Sequence, residues 1–445
     1  MKILVIGNGG REHSICDALS RSAKSPEIYN FATSINPGIK NLTKKIFIGN
    51  ILNLEELKKI IKQETFDLAI IGPDDPIGIG AADILREANI PTFAPSKKCA
   101  QIESSKSFTR NLLKKYKINA SPKFFVSTKI EEHSERQNFF DEFDGQIVVK
   151  ADGLLGGKGV LVGGDHFNNF VVAENFAKQS IEKFGKVVLE EKLVGEEFSL
   201  MSIVDGTTVL DTPAIQDNKR AFEGDTGPNT GGLGCISDEN GSLPFLNNQN
   251  LKDAHNITVQ VMKALEEELG EKYQGVLYGG FIVTKNGVKL IEYNARFGDP
   301  EALNLFSTLK NDALEIFEKA SHGRLNEIKK LEFEKKATVV KYLCPEGYPD
   351  NPTKDEPIEI SDIVENIENG RGKIYFASVS EERGRVVLRG SRAIGICGIG
   401  DDFEEALKNC EQMISYFSGP LFYRKDIGTK ELIEKRITHM KEILM

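Results

Sequence analysis

The 445-residue chain has only six cysteines, Cys16, Cys99, Cys235, Cys344, Cys397 and Cys410, with no CxxC pair and no regular spacing. That excludes a disulfide scaffold and reads as reduced thiols in a cytosolic protein. The six histidines are scattered, none at ligand spacing to another His or to Cys, which argues against a zinc site. No apolar run approaches the roughly 20 residues of a membrane helix. The opening run Met1-Lys2-Ile3-Leu4-Val5-Ile6-Gly7 is too short for a signal h-region. The expectation is a soluble, cytoplasmic protein with no membrane partner. A basic excess is also missing: 57 Lys and Arg face 66 Asp and Glu, a net −9. This argues against a nucleic-acid partner held by a basic surface. Small anionic substrates stay open, because they need only local Lys, Arg and backbone N–H groups. Repeats and low-complexity tracts are absent too.

The length predicts two to four domains. Residues 2–94 alternate short apolar runs with amphipathic stretches, a βα rhythm that implies a parallel sheet. Ala94-Pro95-Ser96 breaks that rhythm and a helix over 104–116 follows. Residues 121–190 read as a small α/β unit with strands at 147–151, 160–162 and 187–190. A strand-rich region with one strong helix, 255–269, runs to about 322. Strands at 339–343, 374–379 and 386–399 and a helix at 403–414 complete the chain. The fold class is therefore α/β and α+β multidomain.

The most informative stretch is Glu292-Tyr293-Asn294-Ala295-Arg296-Phe297-Gly298-Asp299-Pro300-Glu301. On a strand over 288–295, side chains two apart share a face, so Glu292, Asn294 and Arg296 point at one object. A carboxylate and an amide oxygen suit Mg²⁺, which takes its remaining octahedral positions from water and phosphates. Arg296 is placed to neutralise charge in phosphoryl transfer. An edge strand with a solvated polar face gives the same alternation. Asn286-Gly287 is a two-residue turn signal. Counting back from it sets Glu292 opposite Phe281 and Asn294 opposite Gly279, with Gly280 alongside to leave room for a ligand.

Three glycine-rich loops differ in meaning. Gly7-Asn8-Gly9-Gly10-Arg11-Glu12-His13 joins a strand to a helix, where N–H groups attract phosphate. Glu12 replaces the third glycine of a dinucleotide fingerprint, and no acid ends the second strand, so NAD is not expected. A monophosphate-bearing substrate fits better; a tight turn without ligand is the alternative. Asp152-Gly153-Leu154-Leu155-Gly156-Gly157-Lys158-Gly159 lies between two strands and lacks the Ser or Thr of a Walker A loop. It reads as a hairpin lid over triphosphate, with Lys150 as a phosphate partner, or as a structural hairpin. Asp225-Thr226-Gly227-Pro228-Asn229-Thr230-Gly231-Gly232-Leu233-Gly234, preceded by Asp217-Asn218-Lys219-Arg220, suggests backbone wrapped round an anionic ligand, or an exposed loop.

Together these segments resemble the phosphoribosylamine–glycine ligase family, also called glycinamide ribonucleotide synthetases, of the ATP-grasp superfamily. The resemblance runs nearly end to end: GNGGREH from Gly7, GPDDP from Gly72, KADGLLGGKGV from Lys150, DTGPNTGGLG from Asp225, EYNARFGDPE from Glu292, and Arg424-Lys425-Asp426-Ile427-Gly428. It implies an N-terminal parallel-sheet α/β substrate domain (1–100), a linker helix and ATP-grasp lid (101–192), an ATP-grasp catalytic core (193–330) and a mixed α+β C-terminal domain (331–445). It also implies ATP bound at the hinge Leu189-Glu190-Glu191-Lys192-Leu193, with Glu197 near the ribose. Lys106, Lys150 and the lid residues Gly153, Gly156, Gly157, Lys158 and Gly159 would hold phosphates. Glu292 and Asn294 would bind Mg²⁺ or Mn²⁺. Phosphoribosylamine would lie among Asn8, Gly9, Gly10, Asp217, Asp225, Thr226, Gly227, Pro228, Gly231, Gly232, Asp299, Pro300 and Glu301.

The implied reaction is ATP-dependent ligation of glycine to 5-phosphoribosylamine through glycyl phosphate, giving glycinamide ribonucleotide for purine biosynthesis, with Arg296, Lys150 and Arg220 as catalytic residues. The instability of that amine raises transient contact with the enzyme supplying it. Two positions depart from the family: Asn218 stands where His is common, and Gly72-Pro73-Asp74-Asp75-Pro76-Ile77 where GPEAPL is common. Rival readings are an ATP-grasp carboxylase or formate-using ligase, a non-catalytic nucleotide-binding regulator, and a dehydrogenase.

Overall fold

The computed structural model describes residues 1–155, 159–361 and 370–445. The first βα units form a parallel sheet in which Lys2–Ile6 pairs with both Glu27–Ala32 and Leu68–Ile71. Lys45–Ile48 and Thr92–Phe93 close its edges. Ile3, Leu4, Val5 and Ile6 are buried on both faces, which explains their unbroken apolar run. The helix Gly10–Ser20 starts directly at the first glycine loop.

Among the described residues a nine-stranded antiparallel sheet dominates the rest, eight strands in one row and Leu421–Phe422 paired beside Ala337–Pro345. Its order runs from Gly287–Asn294 and Gly275–Thr284 through Glu196–Val204, Val209–Asp217 and Gly234–Ser237 to Ala337–Pro345, Ile394–Gly400 and Gly372–Phe376. Gly234–Ser237 pairs with Ala337–Pro345, so the sheet runs unbroken across residue 330. The helix Asn248–Leu269 begins earlier than its hydrophobic period suggests, because Asn247 caps it through Gln249 and Asn250.

Three sequence expectations are corrected, one of them the strand at 374–379, which ends at Phe376 while Val379–Glu382 belongs to another sheet. The single strand at 386–399 is two strands in different sheets, Arg385–Arg389 and Ile394–Gly400, with the turn between them carrying Arg392. The hairpin register also differs: Glu292 lies opposite Gly280 and Asn294 opposite Tyr278. The turn is at Lys285 and Asn286, leaving Gly287 at φ +87°, and a bulge at Ile291 then shifts the pairing by one. The shared face of Glu292 and Asn294 survives, because both lie beyond the bulge.

Residues 124–191 form a separate four-stranded sheet, Phe124–Ser127, Val187–Glu191, Ile147–Ala151 and Val160–Val162. It has its own core of Ile147, Val149, Ala173, Ala177 and Leu189. The helix Lys106–Lys115, capped by Ser105, connects this unit to the rest. All six cysteines are buried and unpaired. Among the described residues no helix is long and apolar enough to cross a membrane.

Candidate active site

Glu292 and Asn294 stand near the end of the hairpin strand with Arg296 just beyond. Asn294 Oδ1 accepts a long bond from Arg296 Nη2 at 3.4 Å. The Glu292 carboxylate lies 3.8 Å from Lys219 Nζ, which is also 3.9 Å from Glu197. Burial pushes the Glu292 carboxyl up, but Lys219, Lys150, Lys106 and Arg296 outweigh it and hold it below its ordinary value. The result is an ionised carboxylate and an amide oxygen, side by side, in a cationic surround. Among the described residues no three or more His, Cys, Asp or Glu cluster as a closed metal cage. Two oxygen ligands with cations around them fit a metal that shares its coordination with a polyphosphate.

Behind this face lies a buried ion cluster. Arg110, from the linker helix, donates from Nε to Glu190 Oε1 at 2.6 Å and from Nη2 to Glu190 Oε2 at 2.9 Å. It also donates to the Leu290 and Ile291 carbonyls, at 3.0 and 2.6 Å. The bulge at Ile291 thus turns a carbonyl out of the ladder toward a cation. Lys150 Nζ pairs with Glu190 at 2.8 Å and reaches the same Ile291 carbonyl at 3.3 Å. Burial raises the Glu190 carboxyl, yet Arg110 and Lys150 hold it at about 2. Burial pulls Lys150 below the ordinary lysine value; Glu190 opposes that shift and Arg110 adds to it. The helix Lys106–Lys115 and the strands Val187–Glu191 and Gly287–Asn294 are thereby locked together.

The hairpin expected as a lid is anchored at its described base. Asp152 accepts from the Ser107 N–H at 3.0 Å, Ser107 Oγ at 2.7 Å and Ser105 Oγ at 3.0 Å, with Lys186 at 3.2 Å. Lys106 donates to the Gly153 carbonyl at 2.9 Å. Gly159 accepts from the Ala151 N–H at 2.9 Å. Gly156, Gly157 and Lys158, expected to close over phosphate, lie outside the described residues. In the hinge, Glu191 accepts from the Lys123 N–H and Lys192 donates to the Gly163 carbonyl, while Leu193 stays half-buried.

The first and third glycine loops and the Asp299 turn converge on one place. Glu12 Oε2 accepts from the Gly9 N–H at 2.6 Å, and a side chain at Gly9 would meet that oxygen and Asp299. Asn8 is fixed by Ser34 at 2.7 Å, and Gly10 abuts the Tyr342 hydroxyl. Gly232, at φ +106°, has no room for a Cβ because Asp217 and Pro300 press against it. Arg392 Nη1 ties the loop to the turn, donating to the Gly231, Gly232 and Asp299 carbonyls at 2.8, 3.0 and 2.7 Å. Its guanidinium lies over the Tyr342 ring, whose hydroxyl donates to Asp299 at 2.6 Å. Glu301 accepts from Tyr278 at 2.7 Å. Asp217 Oδ1 and Asn218 Oδ1 are buried without a hydrogen-bond partner. Burial, reinforced by Glu301, raises the Asp217 carboxyl well above its ordinary value. Two unpartnered buried oxygens thus stand where the loops converge, free to accept from a hydrogen-bond donor.

Some expected residues are engaged elsewhere. Arg220 meets Asp165 of the lid unit at 2.5 Å and the Gly227 carbonyl at 2.8 Å; Lys219 makes the contact with Glu292. Asp225 spends its carboxylate on Arg424 and Arg436. Thr226 donates to the Glu223 carbonyl, and Pro228 lies half-buried in the Thr226–Asn229 strand. Residues that the sequence reading missed are Arg110, Arg392 and Glu103. Glu103 accepts from the Ala295 N–H at 2.8 Å and lies 3.6 Å from Arg296. Burial raises its carboxyl to about 7, with Arg296 opposing and Asp74 adding. Arg296 itself is shifted up, its burial outweighed by Glu103, Asp74 and Glu301. No local pattern marks these three; only Lys219 had a signal, its place two residues from Asp217.

Fold and site define an ATP-grasp enzyme. A biotin carboxylase domain from Hydrogenobacter thermophilus superposes with TM-score 0.72 at 14% identity, covering 99% of this chain and 93% of that one, a likeness of fold alone. Family models narrow the class: the phosphoribosylglycinamide synthetase N domain matches residues 1–103, its ATP-grasp (A) domain 104–302 and its C domain 338–430. The chain belongs to the phosphoribosylglycinamide synthetase family. The phosphoribosylamine–glycine ligase of Methanococcus vannielii is 45% identical over 450 residues, and that of Methanocaldococcus jannaschii 44%, each covering 100% of both chains. The crystal structure of the Thermotoga maritima phosphoribosylamine–glycine ligase is 28% identical with TM-score 0.78, covering 96% of this chain and all of that one.

Proposed function

We propose that the chain ligates glycine to 5-phosphoribosylamine with ATP, forming glycinamide ribonucleotide, ADP and phosphate in the cytoplasm. The observation that carries this reading is the placement of an ionised Glu292 and Asn294, ringed by Lys219, Lys150 and Arg296, on the strand that leads into the Asp299 turn and the paired glycine loops. A phosphate-handling face and a second, orphan-lined receiving surface are what a two-step ligation needs. In the first step a glycine carboxylate oxygen attacks the γ-phosphorus and the bond to ADP breaks. In the second the amine of phosphoribosylamine attacks the acyl carbon of glycyl phosphate, and phosphate leaves with the oxygen that glycine supplied.

The chain's residues act mainly by position and charge. The Glu191 to Leu193 backbone receives the nucleotide at the hinge, with Glu197 toward the ribose. Lys106 and Lys150 orient phosphates, and Lys219 and Arg296 offset charge that grows on the transferring group. A magnesium or manganese ion held by Glu292 and Asn294 would supply further neutralisation of the polyphosphate. The hairpin between Ala151 and Val160 would exclude water from the acyl phosphate. Asp217, with its orphaned oxygen, suits a donor group of the substrate. No general base is required if the amine arrives neutral, and direct handover from the enzyme that makes it would protect it. The test is product formation under omission: amide product by mass and ADP release should require ATP, a divalent cation, glycine and phosphoribosylamine together. Equal product with bicarbonate or formate in place of glycine would overturn the assignment.

A further inference from the structure

The hairpin that leads into the third glycine loop is gripped by the far end of the chain. Asp225 sits at φ +61°, a left-handed conformation that costs a non-glycine residue about 1 kcal/mol or more unless its surroundings fix it. Arg436 Nη2 meets its carboxylate at 2.5 Å and Arg424 Nη2 at 3.1 Å. Arg424 is buried and also donates to the Arg220 carbonyl at 3.1 Å. Asp426 accepts from the Gly224 N–H at 3.0 Å. Two points of the hairpin turn, Gly224 and Asp225, and one at its open end, Arg220, are therefore fixed by residues 424–436. Arg436 belongs to the helix Lys430–Leu444, which buries Leu432 and Met440 and lies almost wholly beyond the matched C domain. Charge-assisted bonds of this kind fix geometry as well as adding attraction.

We propose that Arg436 is a positioning residue: by clamping Asp225 it holds loop 226–234 in the conformation that receives phosphoribosylamine. Asp225 is then a structural anchor of that loop and not a substrate contact. The proposal rests on the functional reading above. A loop that must be ordered on binding weakens apparent affinity by the fraction already in the competent state, so releasing the clamp acts on KM more than on kcat.

The experiment compares the full-length wild type with Arg436→Gln, Arg436→Lys, Asp225→Ala and the Arg436→Gln/Asp225→Ala double variant. Arg436→Gln should speed hydrogen exchange in residues 226–234 and raise KM for phosphoribosylamine about tenfold. KM for ATP should stay within about twofold and kcat within about threefold. Lysine should restore part of the loss, and the double variant should match the Asp225 single. Unchanged loop exchange or unchanged KM for phosphoribosylamine in Arg436→Gln overturns the clamp, as does an equal fall in every parameter alongside a lowered Tm. A wild type that makes no glycinamide ribonucleotide defeats the functional reading and the proposal with it.

Discussion

Replacing Arg110 with Met keeps most of the side chain's volume and removes the guanidinium that joins three parts of the molecule. Four hydrogen bonds are lost, two to Glu190 and one each to the Leu290 and Ile291 carbonyls. Removing one partner of a buried ion pair costs about 3–5 kcal/mol, because the remaining charge stays buried. Here Lys150 still meets Glu190 at 2.8 Å, so the lower end, about 3 kcal/mol, is expected. Hydrogen exchange reads this directly, since the affected amides lie in the strands Val187–Glu191 and Gly287–Asn294. A loss of that size speeds their exchange about 10²-fold, while the parallel sheet of the first domain is unaffected. The charge-free triple variant Arg110→Met, Lys150→Met, Glu190→Leu should recover much of the stability, because no buried charge is left uncompensated. It should not recover turnover. Acceleration below about threefold in Arg110→Met would refute the idea that this cluster fixes the strand Val187–Glu191 to the strand Gly287–Asn294.

Three further outcomes are expected. Glu292→Ala should lower turnover about 10³-fold with the fold intact; near-normal turnover at limiting Mg²⁺ would remove it from the metal face. Asp152→Ala should cost about 1–2 kcal/mol by leaving the Ser107 N–H in the helix's first turn without its partner, and raise KM for ATP several-fold; an unchanged KM would show that the lid base does not need this anchor. Glu103 gives a pH dependence. Its folded-state pKa of about 7 lies above the ordinary 4.5, so the folded protein binds the extra proton between those values. Stability from this group is complete below about 4.5 and falls by about 3 kcal/mol as pH rises through 7. The Glu103→Gln variant should lose that slope in urea unfolding between pH 4.5 and 8, and identical slopes would contradict the buried-acid assignment.

The period-two rule was enough to put Glu292 and Asn294 on one face, because a strand's alternation is local. Their register was not local. It depends on Gly287 accepting a positive φ and on Ile291 turning its carbonyl to Arg110 and Lys150, 181 and 141 residues away in sequence. The same distance problem separates Lys219 from Arg220. Both are basic and adjacent, yet one reaches Glu292 and the other Asp165, a division made by the hairpin that begins at Arg220. Asp225 reads as a substrate contact because it opens a glycine-rich run, while its pairing with Arg424 and Arg436, about 200 residues on, leaves no local trace. Arg392 was hidden inside what reads as one long strand and becomes visible only when that strand breaks between two sheets.

Oxygen transfer tests the central claim most directly. Glycine labelled with ¹⁸O in its carboxylate, incubated with ATP, Mg²⁺ and phosphoribosylamine, should yield one labelled oxygen in the released phosphate for each glycinamide ribonucleotide formed. Product accompanied by unlabelled phosphate would contradict attack of glycine on the γ-phosphorus, and absence of amide product would contradict the ligase assignment itself.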